Sequence, residues 1–403
     1  MAGSAGYRGA RMRGRTVGLV IVALAAAGAF ALVTLAGTGA LGPAPRPPAA
    51  PTASGPALAG AGAPSAATEV PSSLAPPSSA PSPTPVLVPA PLTGRLVAPA
   101  LAARHPIAVM VDDQADARPQ SGFNQASVVW QAPAEGGIPR YMLIFGEGDP
   151  PSVGPVRSSR QYFITWAAEW HAVYVHVGGS PQALATLATS GQGQLVYDAD
   201  EFRWGPTFLW RITQRVAPHN VYTDGKHLRE LAARVGATSP PSGPIWLFGP
   251  AAPMADRPAG GTITVTYPAN QIGYRYDRAS NTYLRSVEGA PQVDAGDGRQ
   301  VAPANVVVMT VVFGPLNDGH PNKKRLEAQN VGSGPAWIAT NGVTIQGTWR
   351  KDSIDAPTQF YDAAGHEVVL TAGQTFIQVV PPGTPLQIVA GRSPATGSGP
   401  APR

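Results

Sequence analysis

Two short stretches, GPVRSSRQYF over 154–163 and VHVGGSPQ over 175–182, each set glycine and serine beside an arginine or histidine where a loop turns into a helix. In the first, Arg157, Ser158 and Arg160 stand at the helix start. Exposed N–H groups and the positive dipole end attract anions there, and a guanidinium adds two-pronged recognition of carboxylate or phosphate. The same residues also read as an ordinary helix start, with Ser158 or Ser159 as cap and the arginines paired to Glu135, Glu169 or the aspartates within 112–116. In the second stretch, strand, turn, serine and helix have the outline of a hydrolase nucleophile elbow. The residue after Ser180 is Pro181, however, which has no N–H to offer an oxyanion. Ser180 therefore reads as an N-cap and Pro181 as the first helical residue. Gly178 and Gly179 then mark close backbone approach to a neighbouring element or to a ligand.

Other residue types add to the candidates. His176 and His219 are potential general bases or ligands, but no HExxH or comparable pair is present and no metal site is expected. Asp112, Asp113 and Glu135 supply carboxylates of the kind acid–base hydrolysis uses, or alternatively loop caps and partners for arginine. Arg118, Ser121, Arg140 and Asn220 lie in neighbouring loops. No GxxxxGK[ST], GxGxxG or kinase signature occurs, so no nucleotide cofactor is expected, nor any other. The chain holds no cysteine, which removes disulfides, thiolate chemistry and a lipid-modified cysteine.

The elements that must position these residues fall into two regions. From 96 to 250, apolar runs at 105–113, 126–132, 140–146, 172–177 and 244–249 read as strands. They interleave with helical patterns at 158–170, 180–188 and 224–236, which predicts a mixed α/β domain. The helix at 158–170 is expected to start behind a serine cap. From 260 to 383 no helix is predicted. Runs such as TITVTYP, IGYRYDR, NTYLRSV, NVVVMTVVFG and TFIQVVP alternate with turn residues, which predicts a β-rich, mainly antiparallel domain. The fold class is α+β.

The formal charge of +5 does not indicate a polyanion binder. Residues 1–95 carry six of the 29 basic and one of the 24 acidic residues, so 96–403 is neutral, and a nucleic-acid partner is not expected. Residues 17–37 are uncharged and mostly apolar, long enough to cross a bilayer, behind an acid-free basic stub at 1–16. The positive-inside rule leaves that stub cytoplasmic and the remainder outside, tethered to the cytoplasmic membrane. Cleavage near Thr38 would instead secrete the protein. Residues 38–95, rich in Ala, Pro and Ser, are expected to form a disordered linker, and 384–403 a disordered tail.

The motifs HPIAVMVDD, RPQSGFNQASVVWQAPAEGGIPRY, GPVRSSRQYF, HVGGSPQ and PHNVYT resemble, in order and spacing, those of the YerB-like proteins, bacterial envelope lipoproteins of unknown function. The second region is similar to that family's separate C-terminal domain through AWIATNG and TWRKDS. The resemblance implies export and a two-part layout, with a membrane helix replacing the lipidated cysteine of relatives. The residues that match include Arg118, Ser121, Glu135, Arg140, Arg157, Ser158, Arg160, His176, Gly178, Gly179, Ser180, His219 and Asn220. These make the expected ligand-binding set, and the expected function is binding of an anionic or polyhydroxyl cell-wall ligand. A hydrolase or transferase of wall polymers using Asp112 or Glu135 with His176 or His219 is the second reading. A scaffold docking an envelope protein is the third.

Overall fold

The computed structural model describes residues 86–392. The basic stub, the apolar run at 17–37, the linker as far as 85 and the tail beyond 392 lie outside the described residues. Among the described residues no helix is long and apolar enough to cross a membrane. The fold is mixed and sheet-rich, with few helices.

Its centre is a ten-stranded sheet. In spatial order the strands are Gln359–Asp362, Val343–Lys351, Gly332–Thr340, Asn305–Thr310, Thr375–Val380, Val128–Pro133, Pro139–Phe145, Ile107–Asp112, Val173–His176 and Tyr197–Asp200. The first five come from the second sequence region and the last five from the first. The junction is a parallel ladder pairing Thr375–Gln378 with Val128–Gln131. The strand at 375–380 is also parallel to Asn305–Thr310, so the second region holds a parallel pair within its antiparallel setting. One continuous sheet thus crosses both regions, and the two share their cores.

Why this sheet is internal follows from its side chains. Ile107, Val109 and Val111 enter one core cluster while Ala108 and Met110 enter the other. Phe376 and Val380 likewise separate from Ile377 and Val379. Alternate residues of a strand point to opposite faces, so an unbroken apolar run requires cover on both. One face is covered by the helix Gly225–Arg234 through Leu228 and Leu231. A five-stranded antiparallel sheet covers it too, through Ile263, Ile272 and Tyr274. The other face carries the helices Gln161–Ala168 and Pro181–Ser190 through Phe163, Trp166, Ala183 and Leu187. There Trp166 stacks on Trp130 at 4.6 Å between ring centroids.

Two segments expected to be structureless are ordered. Val88–Pro89 pairs with Leu96–Val97 across a turn that buries Ala90, Leu92 and Thr93, so the linker ends before 86. Its proline content hid an apolar alternation in PVLVPAPLTG. Leu386–Val389 is the fifth strand of the smaller sheet, paired with Thr262–Val265, so the tail begins later than 384. Only the alternating LQIV there signals a strand.

Candidate functional site

The adjacent aspartates 112 and 113 part company because of the pleat. Asp112 ends the strand Ile107–Asp112 opposite Arg140, and cross-strand partners share a face, so both lie on the face of the helix Gln161–Ala168. Asp113 continues to the other face. There its carboxylate accepts from Gln131 Nε2 at 2.6 Å, Asn270 Nδ2 at 3.0 Å and Arg118 at 3.1 Å. Burial holds the Asp113 carboxyl above its usual range against the pull of Arg118 and Arg285.

Around buried Asp112 the expected residues converge. His219 donates or shares a proton through Nδ1 to Asp112 Oδ2 at 2.7 Å. Arg157 Nε lies 3.1 Å from that same oxygen, yet misaligned for a hydrogen bond. On the other side Arg160 clasps Glu135 with two N–H groups, at 2.5 and 2.6 Å. Between the two pairs stands Arg140. It is 7% exposed, donates to Ser158 O at 3.0 Å, and leaves its Nε unpartnered. Burial, then the charge of Arg160, lowers Arg140 to about 10, while Glu135 and Asp112 oppose that shift. Three guanidiniums thus face two carboxylates, one positive charge in excess. Arg160 is also the N-cap residue of the helix Gln161–Ala168 and makes no side-chain capping bond.

Glu135 gives a pH prediction. Its burial works to raise the carboxyl, but the hydrogen bonds and charge of Arg160, with Arg140 behind it, outweigh that and hold it below 4.5. A lowered folded-state value stabilises above the unfolded one and loses that contribution as pH falls through it. Glu135→Gln is therefore expected to cost about 1–2 kcal/mol near neutrality, a charge-assisted bond discounted for partial exposure. The deficit should shrink below about pH 4, as melting curves of both proteins across pH 3–7 would read. A deficit that is constant with pH would contradict the pairing.

Other expected residues lie elsewhere. Ser121 exchanges backbone bonds with Gly154, and Asn220 accepts from Arg211 at 3.2 Å in a local hairpin. Arg118 belongs to the Asp113 network. His176 is fully buried and ties two elements, with Nδ1 to Gly178 O at 2.8 Å and Nε2 to Asp198 at 2.7 Å. Ser180 caps its helix, accepting from Ala183 N at 3.3 Å. Gly178 adopts φ +55° so that its N–H meets Asp200 at 2.9 Å, and a Cβ on Gly179 would come within 3.1 Å of Ser159. The close approach at this turn is thus to a neighbouring element. The serine cap expected for the helix at 161 is not made, because Ser159 Oγ bonds the buried Tyr174 hydroxyl at 3.0 Å. Ser158 contributes its carbonyl to Arg140.

Beside the cluster, His219 forms part of the wall of an open cleft of about 770 Å³, with Asp116, Gln214, Arg215, Ala217 and Pro218. Arg215 donates to the carbonyls of Asp116 and Pro119 at 3.0 and 2.7 Å. Sequence reasoning missed this arginine, since nothing in TQRVAPHN marks a cleft wall. It also missed Asp198 and Asp200, which hold the Gly178 turn.

Comparison with known proteins adds the following. Residues 92–238 match the family model described as "Protein of unknown function (DUF3048) N-terminal domain", and 263–377 match its C-terminal domain. The chain is 31% identical over 300 residues to "Putative lipoprotein YerB" of Bacillus subtilis (strain 168), covering 72% of this chain and 86% of that protein. The crystal structure of YerB from Bacillus subtilis superposes with a TM-score of 0.67 at 26% identity, over 75% of this chain and 99% of that one.

Proposed function

The chain belongs to the DUF3048 family, carrying its N-terminal and C-terminal domains in order, and on that premise we propose that it is a membrane-tethered, extracytoplasmic binding module for an anionic ligand. Arg140 carries the reading: a buried guanidinium with no carboxylate of its own, between the pairs Asp112–Arg157 and Glu135–Arg160. A buried charge left short of partners is costly, and a carboxylate or phosphate arriving beside a helix start and three guanidiniums repays that cost. The apolar run at 17–37 with its basic flank, and the lipoprotein description of the Bacillus subtilis relative, support placement at the outer face of the membrane.

The test is calorimetric titration of the full chain with inorganic phosphate and with glycerol phosphate. Arg140→Met keeps the aliphatic stem and removes the charge. It is expected to weaken binding about 10–100-fold, the worth of one charge-assisted contact, without lowering the melting temperature of the unliganded protein. Equal affinity in both proteins, or a large loss of stability in the variant, would sink the proposal.

A further inference from the structure

We propose that the site also hydrolyses phosphodiesters, with His219 as the general base. This rests on the anion-binding reading above and names its substrate class. Three observations carry it. First, Asp112 Oδ2 faces His219 Nδ1 at 2.7 Å, so the buried carboxylate fixes the tautomer with the proton on Nδ1 and the lone pair on Nε2. Second, Nε2 has no hydrogen-bond partner among the described residues, and His219 borders the cleft of about 770 Å³, which gives water and substrate access. Third, that single carboxylate oxygen also faces Arg157 Nε at 3.1 Å, so the His219 ring and the Arg157 guanidinium share one carboxylate and are neighbours. Paired groups that hold a phosphate and accept a proton beside it are what diester hydrolysis requires. His176 lacks this quality, since both its ring nitrogens are engaged inside the protein.

The step balances with water as co-reactant. Arg140, Arg157 and Arg160 hold the non-bridging oxygens of the diester. His219 Nε2 takes a proton from water, whose oxygen bonds to phosphorus as the bond to the leaving oxygen breaks. The departing alkoxide takes a proton from solvent, the imidazolium returns its own, and the products are a phosphomonoester and an alcohol. Asp112 acts as a positioning residue through the ring's Nδ1.

The experiment uses the full chain with bis(4-nitrophenyl) phosphate, reading 4-nitrophenolate release, alongside calorimetric titration with diethyl phosphate as a slowly cleaved diester. Wild type is expected to release nitrophenolate above the buffer rate. His219→Gln should lower kcat about 10²–10⁴-fold, the usual worth of a general base, with KM changed severalfold at most. Asp112→Asn, which keeps the shape and loses the charge facing Nδ1, should lower kcat without a matching rise in KM. Binding of diethyl phosphate with no release above buffer, or release unaffected in His219→Gln, would overturn hydrolysis and leave the anion site standing. Neither binding nor release would overturn both.

Discussion

Arg285→Met is expected to lower the free energy of unfolding by about 3–5 kcal/mol, the cost of removing one partner from a buried ionic network. Arg285 is fully buried on the strand Thr282–Val287 of the smaller sheet. Its Nη2 donates to Gln131 Oε1 at 2.6 Å and its Nε to the Tyr274 hydroxyl at 3.0 Å, while its guanidinium lies 5.0 Å from the Phe376 ring centroid. Gln131 in turn donates to Asp113. The arginine therefore joins the two sheets where both sequence regions meet, and truncation strands Gln131 and Asp113 without water to replace it. Methionine recovers part of the packing volume but none of the polar partners. Denaturant unfolding of wild type, Arg285→Met, Asp113→Asn and the double variant forms the test. The double variant should lose clearly less than the sum of the single losses, because Asp113 without its charge no longer needs the arginine. Strict additivity would show that the two groups do not act together.

Much of the fold can be read from local patterns, and its failures have physical causes. The unbroken run in HPIAVMVDD identifies a strand buried on both faces, and its period of two, carried one residue further, would have sent Asp112 and Asp113 to different networks. The serine–proline step at 180–181 announces its helix start correctly, since capping is local chemistry. Ser158 and Ser159 offered the same signal at 161. The hydroxyl of Ser159 was claimed instead by Tyr174, a contact between residues that no local rule connects. The parallel ladder between Thr375–Gln378 and Val128–Gln131 pairs segments about 250 residues apart, so separate regions were expected where one sheet exists. The arginines of GPVRSSRQYF were picked out by type and spacing, and the structure shows the pairing that was expected of them as the alternative to an anion site. Arg157 and Arg160 do face Asp112 and Glu135, and the excess charge sits on Arg140, whose register opposite Asp112 supplies what spacing alone lacked.

Lys351→Met is expected to produce a loss of stability that depends on pH. Lys351 and Glu169 are both fully buried at the side chain, 3.0 Å apart, beneath a cluster that includes Trp170, Trp246 and Trp349. Glu169 Oε1 also accepts from Thr358 at 2.6 Å and its Oε2 has no partner, while Lys351 donates to Ala356 O. Burial pushes the Glu169 carboxyl above 4.5 although Lys351 and Thr358 pull it down. Without the ammonium nothing but Thr358 opposes burial, so the folded-state value climbs further and the variant must fold with Glu169 protonated. A raised folded-state value favours the folded state below the unfolded one, and that advantage disappears as pH rises through it. The variant's deficit should thus be small below about pH 4.5, where Glu169 is protonated in both states. It should grow toward about 3–5 kcal/mol near neutrality, the cost of a buried charge that has lost its partner. Adding Glu169→Gln removes the titrating group and should flatten the dependence while recovering most of the loss. Melting curves of the three proteins between pH 4 and 8 decide the matter. A deficit equal at both ends of that range would mean that Lys351 contributes packing alone, and that the buried pair is not what joins the strand Val343–Lys351 to the end of the helix carrying Trp166.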